Sequence, residues 1–335
     1  MGAASGDNLD PLQDMIVRAA ETTAVHVREA KAAVSAVIFG QDRVIEHALI
    51  TVLSGGHALL VGVPGLAKTK LVDTLGVVLG LDAKRIQFTP DLMPSDILGS
   101  EVLDESAAGK RNFRFIAGPV FAQLLMADEI NRASPRTQSA LLQAMQEQHV
   151  TVAGARHDLP KPFHVLATQN PLEQEGTYPL PEAQLDRFLM EIDVDYPDIE
   201  AERRILFDTT GAEENRPKPA MTAEDLMAAQ RLVRRLPVGE SVVEAILALV
   251  RSARPSSESA EGRLIAWGPS PRASQALMLA VRARALLDGR YAPSIDDVLA
   301  LAEPVLKHRM ALTFAARADG ETILGVIGRL KALIG

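Results

Sequence analysis

A phosphate-binding loop is the clearest chemical pattern in this sequence of 335 residues. A short apolar run at residues 57–61 leads into residues 62–69, GVPGLAKT, and a helical pattern follows. Strand, loop and helix in this order direct backbone N–H groups at phosphate oxygens beside a helix N-terminus. We expect Lys68 to reach the β- and γ-phosphates and the Thr69 hydroxyl to bind Mg²⁺. The general pattern G-x-x-x-x-G-K-S/T has glycine where this chain has Ala67, so a turn without a ligand stays an alternative.

Asp128 and Glu129 directly follow the apolar residues 124–127. An apolar strand that runs into two acids fits the carboxyl edge of an open α/β sheet, where ligands bind. We expect Asp128 to hold Mg²⁺ and Glu129 to accept a proton from an attacking water. A solvated strand end is the alternative for a single acid, and it explains two consecutive acids behind a phosphate loop less well.

Three further polar residues follow the acids along the chain. Asn170 ends an apolar segment and could position the attacking water, although Asn before Pro171 also initiates a turn. Arg187 ends a short helical pattern, where it complements the helix dipole or reaches into a neighbouring subunit's pocket. Arg272 lies in the first turn of a predicted helix, where a cation opposes the dipole and requires an anion such as phosphate.

The remaining pattern predicts a parallel α/β sheet with helices on both faces. The predicted strands are residues 58–62, 85–89, 123–128, 164–168 and 188–195. The predicted helices of this region are residues 11–38, 43–53, 68–80 and 134–147. Two hairpin inserts are predicted, from residues 101–104 with 112–116 and from residues 150–152 with 156–159.

The domain boundaries follow from composition. Residues 1–10 form a predicted flexible tail, residues 11–195 the core, and residues 196–219 a linker rich in Glu, Asp, Thr and Pro. Residues 220–335 form a predicted all-α lid, helical throughout from Thr222 to Ile334. Helix start signals stand at residues 222–225, TAED, and 294–297, SIDD.

Composition excludes several classes of protein. The sequence is 47% hydrophobic and 23% charged, which is typical of a globular protein. It has no cysteine, so disulfides, thiolate zinc sites and cysteine nucleophiles are excluded, and a cytoplasmic location fits. Residues 1–10 lack the basic and apolar regions of a signal peptide, and no apolar run approaches the ~18 residues of a membrane span. We therefore expect a soluble protein.

The formal net charge of −8 is unevenly distributed. Residues 1–215 carry 18 Lys and Arg against 31 Asp and Glu, whereas residues 216–335 carry 17 against 12. The basic part could contact nucleic acid, or the two oppositely charged surfaces could meet within a chain or between subunits. Its arginines are dispersed along helical patterns, which favours the second interpretation.

The motifs together resemble the MoxR family of AAA+ ATPases, from about Phe39 to the C-terminus. They are GVPGLAKT, LLMADEINRASPRTQSALLQAM, LATQNP, GTYPLPEAQLDRF and GPSPRAS, in this order. The second and fourth blocks are specific to that family rather than to AAA+ proteins in general. The phosphate loop of the family commonly carries alanine at the position of Ala67, so this residue no longer counts against the site.

The resemblance implies a five-stranded αβα core followed by a helical lid, with the two hairpins as the helix-2 insert and the hairpin before sensor 1. It assigns Asn170 as sensor 1, Arg187 as an arginine finger acting in trans and Arg272 as sensor 2. It implies ATP and Mg²⁺ as cofactors, with Thr69 and Asp128 at the metal. The implied nucleotide-binding residues, starting from the segment that lines the adenine pocket, are Gln41, Gly62, Val63, Pro64, Gly65, Leu66, Ala67, Lys68, Thr69 and Lys70.

The resemblance also implies a function. Proteins of this family are similar to chaperones: they form hexameric rings and remodel or mature other proteins, often with partners that carry von Willebrand factor A domains. We therefore expect a Mg-ATP-dependent, ring-forming ATPase that acts on protein clients. A DNA-translocating motor is an alternative, but overall acidity and 4% aromatic residues argue against nucleic-acid binding. A non-hydrolysing scaffold would require a defect among the hydrolytic residues, and all of them are present.

Overall fold

The computed structural model describes residues 11–105, 111–173, 175–211 and 215–335. The predicted tail, residues 1–10, and the predicted turn of the first hairpin, residues 106–110, lie outside this range. The described strands are β1 (Ala58–Val61), β2 (Ala83–Gln87), β3 (Gly99–Glu105), β4 (Arg111–Ala117), β5 (Leu124–Asp128), β6 (His149–Val152), β7 (Ala155–Asp158), β8 (His164–Gln169), β9 (Met190–Asp193), β10 (Ile265–Trp267) and β11 (Ala311–Leu312).

Helices connect these strands and form most of the C-terminal part. They are α1 (Pro11–Ser35), α2 (Asp42–Leu53), α3 (Lys68–Val78), α4 (Pro94–Leu98), α5 (Pro135–Glu147), α6 (Glu182–Leu185), α7 (Ile199–Thr210), α8 (Ala223–Val233), α9 (Glu240–Ser252), α10 (Ala260–Leu264), α11 (Pro271–Leu287), α12 (Ile295–Leu306), α13 (Phe314–Ala318) and α14 (Ile323–Ala332). Two 3₁₀ turns span Ile130–Arg132 and Lys307–Arg309.

The central sheet of the described chain has five parallel strands in the order β2-β5-β8-β1-β9. The five strands predicted from the sequence begin and end within two residues of the observed ones. Strand β1, which leads into the phosphate loop, lies between β8 and β9, and β5 lies between β2 and β8. The carboxyl ends of β1, β5 and β8 therefore meet at one edge, which is where this class of sheet binds ligands.

Successive side chains along each strand point to opposite faces of the sheet, and both faces are buried. Leu60, Met126 and Leu166 pack into one apolar cluster, whereas their chain neighbours Leu59 and Leu125 pack into the other. The second cluster is completed by α5, and the first by α1, α2, α3 and the helices of the C-terminal part. Helices thus cover both faces, which confirms the αβα core.

The two predicted hairpins are present and touch each other. Strands β3 and β4 pair antiparallel, as do β6 and β7. Phe115 of β4 stacks on the ring of His157 of β7, with centroids 3.8 Å apart and planes at 17°. The stack links the two inserts on one side of the core.

The C-terminal part confirms the helical lid, with one difference in detail. Helices α8 and α12 begin with capping boxes at Thr222 and Ser294, as their sequence signals predict. The expectation that residues 222–334 are helical throughout is wrong, because Ile265–Trp267 pairs antiparallel with Ala311–Leu312. Gly268 and Pro269 follow the first of these strands and interrupt helical structure there.

The predicted linker, residues 196–219, contains the helix α7, which Asp198 caps through the backbone N–H of Ala201. The domain boundaries themselves stay a prediction. None of the helices in the described part of the chain is both long and apolar enough to cross a bilayer.

Candidate functional site

The loop between β1 and α3 has the strained backbone of a phosphate-binding turn. Ala67 adopts a left-handed conformation, φ 57° and ψ 21°, which costs a residue with a Cβ about 1–2 kcal/mol. Gly62 must be glycine, because a Cβ there would lie 2.4 Å from the carbonyl oxygen of Val194. The Lys68 ammonium donates to the carbonyl oxygens of Gly62 at 2.5 Å and Val63 at 2.7 Å. Burial lowers the pKa of Lys68, and the nearby Asp128 and Glu129 oppose this shift.

Asp128 stands at the end of β5 and has two partners. One carboxylate oxygen accepts from the Thr168 hydroxyl at 2.6 Å, and the other from the Arg85 guanidinium at 2.5 Å. Thr168 also accepts from the backbone N–H of Glu129 at 2.8 Å. This one hydroxyl of β8 therefore fixes both acids at the end of β5.

Glu129 has left-handed backbone angles, φ 56° and ψ 50°. Such strain at a residue other than glycine persists only where the surroundings enforce it, and it is concentrated at functional sites. The Glu129 carboxylate accepts from Gln87 at 2.8 Å and from Arg132 at 3.1 Å. Both donors bond the same oxygen, Oε2, so they fix the carboxylate while Oε1 keeps lone pairs that can accept a proton from water.

A cavity of about 470 Å³ brings the phosphate loop and both acids together. It is lined by residues 64–70, Arg85, Gln87, Asp128, Glu129, Thr168 and Asn170. Arg85, Gln87 and Thr168 were not predicted from the sequence. Arg85 and Gln87 are two residues apart on the edge strand β2, so their side chains lie on the same face of the sheet. Polar residues at this spacing are a sequence signal that could have indicated them. Thr168 is the last residue of the predicted strand 164–168, and its small polar side chain was the only indication of a role.

Asn170 forms the expected turn and also lines the larger cavity, and its role in positioning water stays a prediction. Its side-chain oxygen accepts from the Leu172 N–H at 3.1 Å, as expected of a turn before proline. Its amide also lines the cavity and lies 3.5 Å from Glu173, which pairs with Arg132 at 3.3 Å. Arg132 therefore connects Glu129 to the loop that carries Asn170.

A second cavity, of about 120 Å³ and mainly apolar, shares the phosphate loop with the first. It is lined by Val37, Ile38, Phe39, Gln41, Gly65, Leu66, Ala67, Lys70, Pro197, Ile205 and Thr209. Gln41 donates to the Asp195 carbonyl at 2.8 Å, and Gly40, at φ 69°, leaves no room for a Cβ beside Ala201. An apolar cavity beside a phosphate loop suits the base of a nucleotide. Helix α7 of the predicted linker forms one of its walls.

Arg187 and Arg272 line neither of these two cavities. Arg187 is partly buried, and its Nε has no hydrogen-bond partner among the described residues. The Arg272 guanidinium lies 3.8 Å from the carboxylate of Asp186, which also accepts from Ser270 at 3.2 Å. Asp186 therefore places an anion beside the start of α11, and the contact of Arg272 with a phosphate stays a prediction.

The oxygen donors in the larger cavity suit Mg²⁺. The Thr69 hydroxyl and the Asp128 carboxylate line the same space. Mg²⁺ is usually bound by one or two carboxylates together with substrate phosphates and water, so this small donor set is sufficient.

Comparison with known proteins agrees with this geometry. Residues 57–190 match the ATPase family associated with various cellular activities (AAA), and residues 257–325 match the AAA lid domain. The chain is 41% identical to Chaperone MoxR1 of Mycobacterium tuberculosis over 94% of this chain and 84% of that protein. It is 34% identical to Protein MoxR of Paracoccus denitrificans over 89% and 92% of the two chains.

A solved structure extends the agreement to three dimensions. The crystal structure of a candidate ATPase from Cytophaga hutchinsonii superimposes with a TM-score of 0.88, at 37% identity, over 96% of this chain and 98% of that one. Relatives that match nearly end to end, a phosphate loop that shares a cavity with paired acids, and a helical lid lead to one conclusion. The chain is an ATPase and belongs to the MoxR family of AAA+ ATPases.

Proposed function

We propose that this ATPase assembles as a hexameric ring in the cytoplasm and uses Mg-ATP hydrolysis to remodel protein clients, including partners with von Willebrand factor A domains. The observation that carries the proposal is the shared cavity, where the phosphate loop, Asp128, Glu129 and Asn170 meet at one sheet edge. The resemblance to a relative named as a chaperone supports the remodelling role.

Four residues of the cavity have a part in the proposed reaction. Lys68 exchanges the carbonyl oxygens of Gly62 and Val63 for the β- and γ-phosphates of ATP. Thr69 and Asp128 would hold Mg²⁺, which supplies positive charge to the phosphate oxygens as they become more negative. Glu129 orients the attacking water and takes up its proton.

Arg187 completes the site of an adjacent subunit. The residue lies outside the cavities of its own nucleotide site, and a partly buried guanidinium with an unsatisfied Nε has donors available for a phosphate. An arginine supplied in trans to a phosphoryl group accelerates hydrolysis by about 10³–10⁵.

The nucleotide site is tested by substituting its lysine. Lys68→Ala is expected to weaken ATP binding, because it removes the charge that faces the phosphates. The matched control is Lys84→Ala, since Lys84 is exposed on β2 and donates to the Phe121 carbonyl, away from the cavity. Titration of a fluorescent ATP analogue measures binding. Equal affinity in both variants would contradict the assignment.

The shared site is tested by mixing two inactive proteins. Arg187→Ala is expected to bind ATP without turnover, and Lys68→Ala to lack nucleotide but keep its finger. Mixed rings regain turnover, because an intact pocket then meets an intact Arg187. Unchanged specific activity of the unmodified protein in a dilute, monomeric sample would contradict a shared site.

The charge division makes ring assembly sensitive to salt. Residues 1–215 are acidic and residues 216–335 basic, and attraction between exposed charges is screened over about 8 Å at physiological ionic strength. We expect the ring to loosen as salt rises and ATP to oppose this. Sedimentation across a salt series, with and without ATP, measures both effects. A ring equally stable at all salt concentrations would show that apolar packing holds it.

The client is tested by capture. Glu129→Gln retains ATP and so holds the complex in its ATP-bound state. A pull-down with this variant, with Lys68→Ala as the control, is expected to enrich client proteins with Glu129→Gln only.

A further inference from the structure

A buried arginine from the lid holds the segment that carries Arg187. Arg309 is 2% exposed and lies at the end of the 3₁₀ turn Lys307–Arg309. Its Nε donates to the Asp186 carboxylate at 2.7 Å, one Nη to the Phe188 carbonyl at 2.6 Å and the other to the Leu189 carbonyl at 3.1 Å. One guanidinium therefore bonds the residues on both sides of Arg187.

A second lid residue contacts the same segment. His308 shares the Phe188 carbonyl oxygen at 3.1 Å, and the Phe188 ring is completely buried. A buried guanidinium is costly unless all its donors are bonded, so Arg309 and the 186–189 segment fix each other. A shift of this segment would break the bonds of both lid residues at once.

The Arg187 side chain has little to hold it directly. Its Nε is buried and unpartnered among the described residues. Burial and then repulsion from Arg272 lower its pKa, and the charge of Glu147 opposes this shift without a hydrogen bond to the Arg187 guanidinium. Its backbone N–H donates to the Gln184 carbonyl at 3.2 Å. The direction of Arg187 is therefore set by the backbone on either side of it, and that is the backbone that Arg309 holds.

We propose that Arg309, through its ion pair with Asp186, is a positioning residue that fixes Arg187 in the direction required by the neighbouring subunit's site. The inference rests on the proposed role of Arg187 in trans. The start of α11 joins the same carboxylate through Ser270 and Arg272. The lid of each subunit thus controls the finger that it offers to the next.

Mixing of variant subunits separates the two functions of a subunit, which are to supply a nucleotide pocket and to supply a finger to its neighbour. The acceptor is Arg187→Ala, which has a pocket and no finger, and the donor is Lys68→Ala, which has a finger and no working pocket. A donor that also carries Arg309→Lys keeps the charge but loses the guanidinium fork. We expect it to restore turnover about 10²-fold less well than Lys68→Ala, because small misplacements of a catalytic group have effects of this size. The lowest turnover expected is that obtained with the donor Lys68→Ala/Arg187→Ala, which has neither a working pocket nor a finger.

The reverse pairing excludes a merely structural defect. Arg309→Lys used as the acceptor, with Lys68→Ala as donor, is expected to keep its ATP affinity and turnover, because its own pocket is unchanged. Asp186→Asn, which has the same shape, is expected to repeat the donor-specific loss. The matched control is Arg329→Lys on the exposed face of α14, which pairs with Glu321 at 2.9 Å and should restore turnover fully.

Two results would overturn the positioning role of Arg309 without affecting the proposed role of Arg187. One is full restoration by the Arg309→Lys and Asp186→Asn donors while Arg187→Ala alone is inactive. The other is an equal loss of donor and acceptor function, which would indicate a structural role. Wild-type turnover by Arg187→Ala alone would instead overturn the trans role of Arg187, and the positioning role with it.

Discussion

The two ends of β8 carry polar residues of opposite character. At the carboxyl end, Thr168 and Asn170 face an open cavity with two acids and their cationic partners. At the amino end, His164 is buried and bonds only neutral groups. Its Nδ1 lies 2.8 Å from the Gly56 carbonyl oxygen, and its Nε2 lies 3.0 Å from the Gln230 amide nitrogen.

The hydrogen bonds at the amino end require uncharged histidine. The Gln230 amide nitrogen also donates to the Val52 carbonyl at 2.9 Å, so His164 Nε2 is the acceptor and Nδ1 carries the proton. Burial lowers the pKa of His164 to about 4. The adjacent His57 accepts from the Val165 N–H, and burial lowers its pKa to about 3.

The backbone shows the same division. Positive φ is supplied by glycine at both ends, Gly55 at 76° and Gly65 at 87°, but at the carboxyl end Ala67 and Glu129 also adopt positive φ as strained residues. The amino end stabilises the sheet with fixed, relaxed partners. The carboxyl end stores strain and holds its acids with donors such as Arg85 and Gln87, which line an open cavity.

Glu129→Gln should have the largest effect of these variants, and this effect should be on ATP turnover and not on stability. Loss of the general base is expected to lower ATP turnover by about 10²–10⁴ while ATP still binds and persists. The free energy of unfolding should change by less than about 0.5 kcal/mol, because the amide fits the same space. Phosphate release and urea denaturation measure the two quantities, with Glu244→Gln on the exposed face of α9 as the control. Turnover at the wild-type rate would refute the role of Glu129.

Acidic pH should destabilise the protein through His164 at the amino end of β8. An unfolded histidine binds a proton near pH 6.5, whereas folded His164 binds one only near pH 4, so the unfolded state gains protons first as pH falls. The stabilisation is complete above pH 6.5 and decreases toward pH 4, and His164 contributes ~3 kcal/mol to this loss. Urea denaturation from pH 7.5 to 4.5 is expected to show a shallower decline in His164→Gln. Equal slopes would show that the pKa of His164 in the folded protein is close to that of an unfolded histidine.

Thr168→Val tests the contact between the two acids with a smaller change. The variant removes the hydroxyl that bonds Asp128 and the Glu129 N–H. We expect turnover to fall about tenfold and the free energy of unfolding to fall by about 1 kcal/mol. Thr168→Ser restores the hydroxyl and should recover most of the turnover. A failure of serine to do so would show that the methyl group, which valine keeps and serine lacks, is also required to hold the hydroxyl in place.

Ala67→Gly should have the smallest effect and the opposite sign. Glycine relieves the left-handed strain but increases the freedom of the unfolded chain, so a net gain of about 0.5 kcal/mol in stability is expected. Turnover should stay within about twofold of the wild type. The control is Ala32→Gly in the exposed face of α1, which should lose about 1 kcal/mol. A loss of stability in both variants would show that the strain at Ala67 is already relieved by its contacts.

Local patterns predicted the sheet and the centre of the site, because strand, loop and helix signals lie within a few residues of Lys68 and Asp128. Contacts between distant segments were not predictable in this way. The pairing of Arg85 with Asp128 spans 43 positions, and that of Arg309 with Asp186 spans 123. No local pattern indicates that Asp186 lies beside Arg272. The β10–β11 pair was also not predicted, because its two strands are far apart in the sequence and each has at most three residues.

The apolar cluster that joins the first helices to the lid has a consequence for synthesis of the chain. Val34 of α1 and Leu49 of α2 are buried in one cluster with Leu277 of α11 and Leu301 of α12. The segments that cover them are therefore translated more than two hundred residues later. Until α11 and α12 have left the ribosome, the apolar faces of α1 and α2 lack their final partners, and incompletely covered apolar surface promotes aggregation. Helices α1 and α2 are thus made long before they are fully buried.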